Sequence, residues 1–277
     1  MDGRQFIRRP NTLPEGLFKY GRNGRNCARC PVRVDRAVTV AGRTAMTDEF
    51  SISVNEYGFY AVPVSYARRE VPRILAAGEV YEPKTVRLIR RNAGAGDVIA
   101  GGAFVGDFFP AISARLAPKA RLYSFEPNPL SFRAAEETIA LNGLKNVSLS
   151  PNAVGSEPGK LHLQTETGAG MAAAARAKIV DAGATNTVEV QATTLDQMHP
   201  KSRKVSVLQL DIEGHEQPAL RGATRILQGS KPMVIVEADR PWRWNMYADL
   251  LNQLAPKAGY RFAGHMERNA FYLPGGK

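Results

Sequence analysis

Three carboxylates close short apolar runs. Glu126 follows Leu122–Phe125, Asp211 follows Val205–Leu210, and Glu237 ends the run Met233–Glu237. A fourth polar end, Asn152, lies just past the run at 147–149, and another apolar run, 98–100, breaks instead into Gly101, Gly102 and Gly106. A turn without side chains lets the backbone come up against a ligand, and an acid roughly 20 residues further on can accept both hydroxyls of a ribose. Glycine turn and Glu126 together are therefore the chemistry of an adenosine-containing cofactor.

The turn also discriminates between such cofactors. A nicotinamide or flavin dinucleotide needs a helix N-terminus at its pyrophosphate and usually shows G-x-G-x-x-G. Here the order is Gly102-Ala103-Phe104-Val105-Gly106, with bulky Phe104 where the second glycine would stand. S-adenosylmethionine carries no pyrophosphate and suits this turn better. A glycine turn alone is also the ordinary tight connection of any α/β domain. The strand-end acids set this one apart.

The positioning elements are legible from periodicity. The run 97–101 reads as a strand, 107–117 as a helix and 121–125 as a second, parallel strand. Asn128 and Pro129 read as the N-cap and first turn of a helix reaching Asn142, which Gly143 stops. A third strand covers 147–149, an almost wholly apolar strand 205–210, a helix 215–227, a strand 233–237, a helix 244–255, and closing strands 260–263 and 270–273. Between 155 and 193 the rhythm breaks: 161–165, a Gly/Ala-rich stretch at 168–177 and the alternating 187–193 predict a hairpin or lid over the site. Upstream, 50–64 alternates around an N-E-Y-G turn and predicts a hairpin, followed by helices at 71–75 and from Pro83 to about Asn92. The strand ends thus converge on the carboxyl edge of one sheet, where open α/β folds bind ligands.

Composition bounds the rest. The 277 residues, 44% hydrophobic and 23% charged, are enough for one substantial core, or one domain with an extension; we expect an N-terminal extension over 1–78 and a cofactor-binding domain over 79–277. The net charge of +11 is uneven: residues 1–45 hold ten Lys or Arg against Asp2, Glu15 and Asp35, so only four of the eleven excess charges fall on the remainder. Such a basic arm suits peripheral contact with a polyanion or anionic headgroup, or simply a solvated extension. No nucleic-acid recognition motif accompanies it, so nucleic acid is disfavoured. No apolar run approaches a membrane span and the N-terminus lacks an apolar signal core, which makes a cytoplasmic protein the expectation. Oligomeric state is open, a homo-oligomer included. Cys27 and Cys30 are the only cysteines; a zinc site would need a second pair, and the four histidines show no ligand spacing.

Alkyl transfer to a hydroxyl needs a base for the departing proton. His215, four residues past Asp211, is the first candidate, against the plain reading of a solvent-facing helix start. The segment Asp211-Ile212-Glu213-Gly214-His215-Glu216 could instead, with Glu237, hold Mg²⁺ that acidifies the hydroxyl; a divalent metal is possible but not favoured. Trp242 and Trp244 offer a stacking wall for an acceptor or anchors for the last helix. Tyr57, Phe59, Tyr60 and Tyr66 either line an acceptor pocket or pack over the sheet edge.

With these residues in view, the sequence resembles the FkbM-type S-adenosylmethionine-dependent methyltransferases. The resemblance rests on VIAGGAFVGDF, FEPNP, NAVG, VLQLDIEGHE and VIVE in that order, over about 79–240. It implies a class I methyltransferase fold: a Rossmann-like, seven-stranded, mostly parallel sheet with helices on both faces and a final antiparallel hairpin. It implies S-adenosylmethionine as cofactor, with Gly102, Ala103, Phe104 and Gly106 around the methionine part and Glu126 on the ribose diol. Asn128, Asn152 and Ala153 would lie near the adenine, and Asp211 near the reacting centre. Members often carry an Asp two residues before the position of Gly102; here it is Ala100, which would leave the methionyl ammonium to Glu82 or Asp107. The implied activity is O-methylation of a sugar, glycolipid or other small-molecule or glycan acceptor. A non-catalytic module that kept the fold is the alternative, and Ala100 is its best argument; a nucleic-acid methyltransferase is a lesser one.

Overall fold

The computed structural model describes residues 50–165, 177–181 and 184–275. The described chain opens with an antiparallel hairpin, β1 (Phe50–Asn55) and β2 (Gly58–Pro63), then α1 (Glu70–Ala76) and α2 (Pro83–Asn92). An alternating series follows: β3 (Asp97–Gly101), α3 (Phe109–Ser113), β4 (Leu122–Phe125), α4 (Pro129–Leu141) and β5 (Val147–Ser150). The insertion holds β6 (Ala153–Val154), β7 (Gly159–Gln164), β8 (Lys178–Val180) and β9 (Thr187–Thr193). The chain then runs through α5 (Leu195–Met198), β10 (Val205–Leu210), α6 (Glu216–Arg221), α7 (Thr224–Ser230), β11 (Met233–Glu237) and α8 (Pro241–Leu254) to a last hairpin, β12 (Arg261–Met266) and β13 (Asn269–Leu273).

Seven strands form one sheet in the order β12-β13-β11-β10-β3-β4-β5. The five from β5 to β11 pair in parallel, and β13 joins antiparallel to β11 and β12. Alternation along each strand feeds two cores, as strands covered on both faces require. Ile99, Leu208, Leu210, Val234 and Val236 face Leu220, Ile226 and Leu251 of α6, α7 and α8. Val98, Ala100, Val207 and Ile235 face Ile89, Phe109, Ile112 and Ala135 of α2, α3 and α4. The β1–β2 hairpin and α1 share a third cluster with Phe104, Val105 and Ala134, so this segment braces the glycine turn directly. Among the described residues no helix is long and apolar enough to cross a membrane.

Three local expectations are corrected. The helix read over 107–117 is confined to α3, because the chain turns at residues 104–108 and Asn146 Nδ2 takes up the Ser113 carbonyl (3.1 Å). The helix read over 215–227 breaks at Gly222 and Ala223. Asp196 draws α7 aside by accepting the Arg225 and Ile226 N–H groups (2.6 and 3.0 Å), and Gly222 passes so near the Gly155 carbonyl that a Cβ would lie 2.1 Å from it. The insertion is no simple hairpin: β6-β9-β7-β8 make a four-stranded sheet, and Ala153 and Val154, just past the third strand, pair in parallel with β9. The Gly/Ala stretch taken for a lid lies largely outside the described residues, as do the basic arm, Cys27 and Cys30.

Candidate active site

Register builds the site. Gly101 pairs with Phe125 and with Leu210, and Leu210 pairs with Val236. The residue after each is therefore a strand tip in one row: Glu126, Gly102, Asp211 and Glu237, at parallel-strand spacings of about 4.8 Å. Over the row opens a crevice of about 1080 Å³ including its mouth, lined by these four together with Ala100, Ala103, Phe104, Asp107, Ala153, Gln209, Glu213 and His215.

Gly102 is required by shape. Its φ of +81° is a left-handed conformation, and a Cβ there would fall 2.0 Å from the Asp211 carbonyl oxygen. Phe104 takes a left-handed φ of +46° without being glycine, a strain of about 1–3 kcal/mol that persists only where neighbours impose it. Its ring is held by stacking on Tyr66 at 5.6 Å, and its N–H donates to Glu126 Oε2 at 2.8 Å. Asn128 N–H donates to Glu126 Oε1 at 2.9 Å. Two backbone donors thus fix the Glu126 carboxylate and leave its outer lone pairs toward the crevice. Burial pushes its carboxyl up to about 7, and those two donors only partly oppose the shift.

The row is rich in acid. Burial raises Asp211 well above the usual carboxylate range, and the neighbouring Glu237 and Glu82 raise it further. Burial also raises Asp107 to about 7 and raises Glu237. Five carboxylates line the crevice against one Arg268, an arrangement that favours ligands with positive centres.

The D-I-E-G-x-E segment owes its shape to its last residue. Glu216 is fully buried, its Oε1 accepts from Ile212 N–H (3.2 Å) and Gly214 N–H (3.0 Å), and its Oε2 accepts from Tyr247 (3.1 Å). Glu216 therefore templates the turn that presents Asp211 and His215 and is itself spent there. His215, at the N-cap of α6, lines the crevice with no side-chain cap bond. Burial lowers its pKa below the ordinary histidine value, so the ring is a neutral proton acceptor at neutral pH. No group of three or more His, Cys, Asp or Glu among the described residues is arranged to hold a metal ion.

Several expected site residues stand behind the wall rather than on it. Asn128 spends its side chain as the α4 cap, accepting from Leu130 N–H at 3.1 Å and reaching Tyr66; it serves the site through its backbone. Gly106 turns the chain at φ +77° against the Phe109 ring. Asn152 is half-buried, with its N–H on Ser150 Oγ, while its neighbour Ala153 lines the crevice. Glu82 is buried in a left-handed N-cap of α2, bonded to Asn269 Nδ2 (2.7 Å) and raised by burial to about 7. Tyr60 and Tyr66 belong to the bracing core, Tyr57 lies under Arg90, and Phe59 is exposed. Trp244 anchors α8 by stacking on Phe262 at 5.0 Å and donating to the Ala238 carbonyl, and Trp242 is exposed. Sequence reading missed Tyr81, Gln209, Leu163, Ile179 and Arg268, all of which line the crevice. Of these only Tyr81 had a local signal, its place just before Glu82-Pro83.

The family model described as the Methyltransferase FkbM domain matches residues 92–262, more than half of the chain. The chain belongs to the FkbM methyltransferase family. Its sheet and closing hairpin make it a class I methyltransferase fold, with the seven strands, parallel core and helices on both faces expected of one. Among solved structures, this FkbM-family chain is similar to a methyltransferase FkbM from Methylobacillus flagellatus, at 14% identity over 65% of this chain and 43% of that one, with a TM-score of 0.46. It is similar to Trm5b from Pyrococcus abyssi (13% identity, 84% and 56% covered, TM-score 0.46) and to a SAM-dependent methyltransferase from Aquifex aeolicus (13%, 70% and 88%, 0.41). It therefore spans less than two thirds of the length of the first two. No curated protein matches the chain.

Proposed function

We propose that the chain is an S-adenosylmethionine-dependent methyltransferase that methylates a hydroxyl of a sugar, glycolipid or other small-molecule acceptor. The observation that carries this reading is the Glu126 carboxylate, pinned by Phe104 and Asn128 N–H groups beside the bare backbone of Gly102. That pair fits a ribose diol and a closely approaching ligand, and the surrounding acids fit its ammonium and sulfonium charges. When bound, S-adenosylmethionine supplies an activated methyl group. Glu126 would accept from the ribose hydroxyls, Gly102 to Phe104 would flank the methionyl part, and Asp107 with Glu82 behind it would take over from the acid replaced by Ala100. Ala153 would border the adenine, with Asn152 next to it.

His215 is the proposed base. Its neutral ring, at the crevice wall, would accept the hydroxyl proton while Asp211 on the adjoining tip orients the hydroxyl; alignment of this kind lowers a displacement barrier by several kcal/mol. Ala100 supports a second reading, a non-catalytic module, because position 100 carries no acid where many members have one.

Mass spectrometry of small polar metabolites and glycans from cells with and without the gene tests the activity. A hydroxyl compound heavier by one methylene only where the gene is present is the expected result. Methylation gained on RNA or on an amine would overturn the acceptor class.

A further inference from the structure

The crevice has two kinds of wall. Its cofactor-side tips fall within the matched segment 92–262, whereas Arg268 falls outside it, in the turn between β12 and β13. Arg268 is the single Lys or Arg among the lining residues described.

Its backbone is gripped from three directions. The Arg268 carbonyl accepts from Ala238 N–H at 2.9 Å, just past the tip of β11. Before it, Glu267 caps α2 by accepting from Lys84 N–H, Thr85 N–H and Thr85 Oγ1 at 2.7–3.0 Å. After it, buried Asn269 donates to Glu82 at 2.7 Å. The side chain, by contrast, forms no hydrogen bond in the interior, although its charge acts on Tyr81, Glu237 and Asp211 of the crevice. It is 51% exposed, and its ion pair is with Glu70, itself 55% exposed, at a loose 3.5 Å. Exposed pairs of this sort contribute little, so an entering oxyanion can displace Glu70 from the guanidinium at small cost. Guanidinium geometry favours carboxylate or phosphate, bidentate.

Resting on the methyltransferase reading above, we propose that Arg268 is a specificity residue that binds an oxyanion, carboxylate or phosphate, on the acceptor, which makes the acceptor an acidic or phosphorylated sugar rather than a neutral one.

The test is calorimetry on the full chain saturated with S-adenosylhomocysteine, titrated separately with glucuronate, glucose 6-phosphate, glucose and glucosamine. At least one of the two oxyanionic sugars is expected to bind tenfold or more tightly than glucose; which one does so separates carboxylate from phosphate. Arg268→Gln should abolish that preference, Arg268→Lys should keep part of it, and neither should change the affinity for S-adenosylhomocysteine. The proposal is overturned if neither oxyanionic sugar shows the preference, if glucosamine binds best, or if the preference survives Arg268→Gln. It is equally overturned if Arg268→Gln weakens S-adenosylhomocysteine instead, which would put Arg268 on the cofactor's own carboxylate. Wild-type protein that takes up no S-adenosylhomocysteine refutes the methyltransferase reading, and this one with it.

Discussion

The two halves of the crevice are built differently. The half proposed for the cofactor, Gly102 to Phe104 with Glu126, comes from one strand-turn-helix-strand unit and is fixed by backbone hydrogen bonds and a glycine that tolerates no Cβ. The side proposed for the acceptor draws Tyr81, Glu237 and Arg268 from three separate parts of the chain. Backbone-fixed groups suit a ligand that never changes. Side chains mounted on separate elements can be exchanged without disturbing the sheet, which suits a half that sets specificity.

Substitutions sharpen that contrast. The largest effect is expected at Gly102→Ala, where a Cβ 2.0 Å from the Asp211 carbonyl must force two strand tips apart at a left-handed φ. A loss of about 3 kcal/mol or more in a denaturant melt is expected, and a loss below about 1 kcal/mol would show that the tips are not tightly matched. Next, His215→Asn should lower kcat by about 10²–10⁴-fold with the cofactor Kd unchanged; a Kd that moves with kcat would make His215 a binding residue. Third, Glu126→Gln should weaken the cofactor by about ten- to a hundredfold and leave acceptor binding to the Arg268 side intact, as titrations of both ligands would show.

A smaller effect follows from the acids. Glu82, Asp107 and Glu126 have carboxyls raised by burial to about 7 from ordinary values near 4. In that window the folded chain holds protons that the unfolded chain has lost, so these groups lower stability as pH rises from about 5 to about 8. Melting temperature of the ligand-free protein should fall across that range, and a cationic ligand should bind more tightly at its upper end and offset part of the fall. A melting temperature that climbs steadily with pH would show that these acids are paired in solution.

Much of this frame was legible in the sequence. Apolar runs ending on Glu126, Asp211 and Glu237 marked strand tips, because a buried parallel strand is a continuous apolar run and its end is where polar residues can appear. Asn128-Pro129 marked α4 because cap and first turn have fixed chemistry. What escaped depended on contacts far apart in sequence. Arg268 lies 31 residues past Glu237 with no motif, and only the β11–β13 pairing brings it to the tip row. Glu216 looked like a possible ligand because its type is right; its burial and its bonds to Ile212, Gly214 and Tyr247 are invisible until the chain folds. The broken helix at Gly222 was likewise decided by Asp196, a tertiary partner that overrode a sound helical period.

The backbone-fixed half is proposed to hold S-adenosylmethionine. Isothermal calorimetry of the wild-type chain with S-adenosylmethionine at about pH 8 measures this most directly. One molecule bound per chain, with binding strongly weakened in Glu126→Ala, is expected. Absence of binding heat from the wild-type protein, or affinity unchanged in Glu126→Ala, would contradict it.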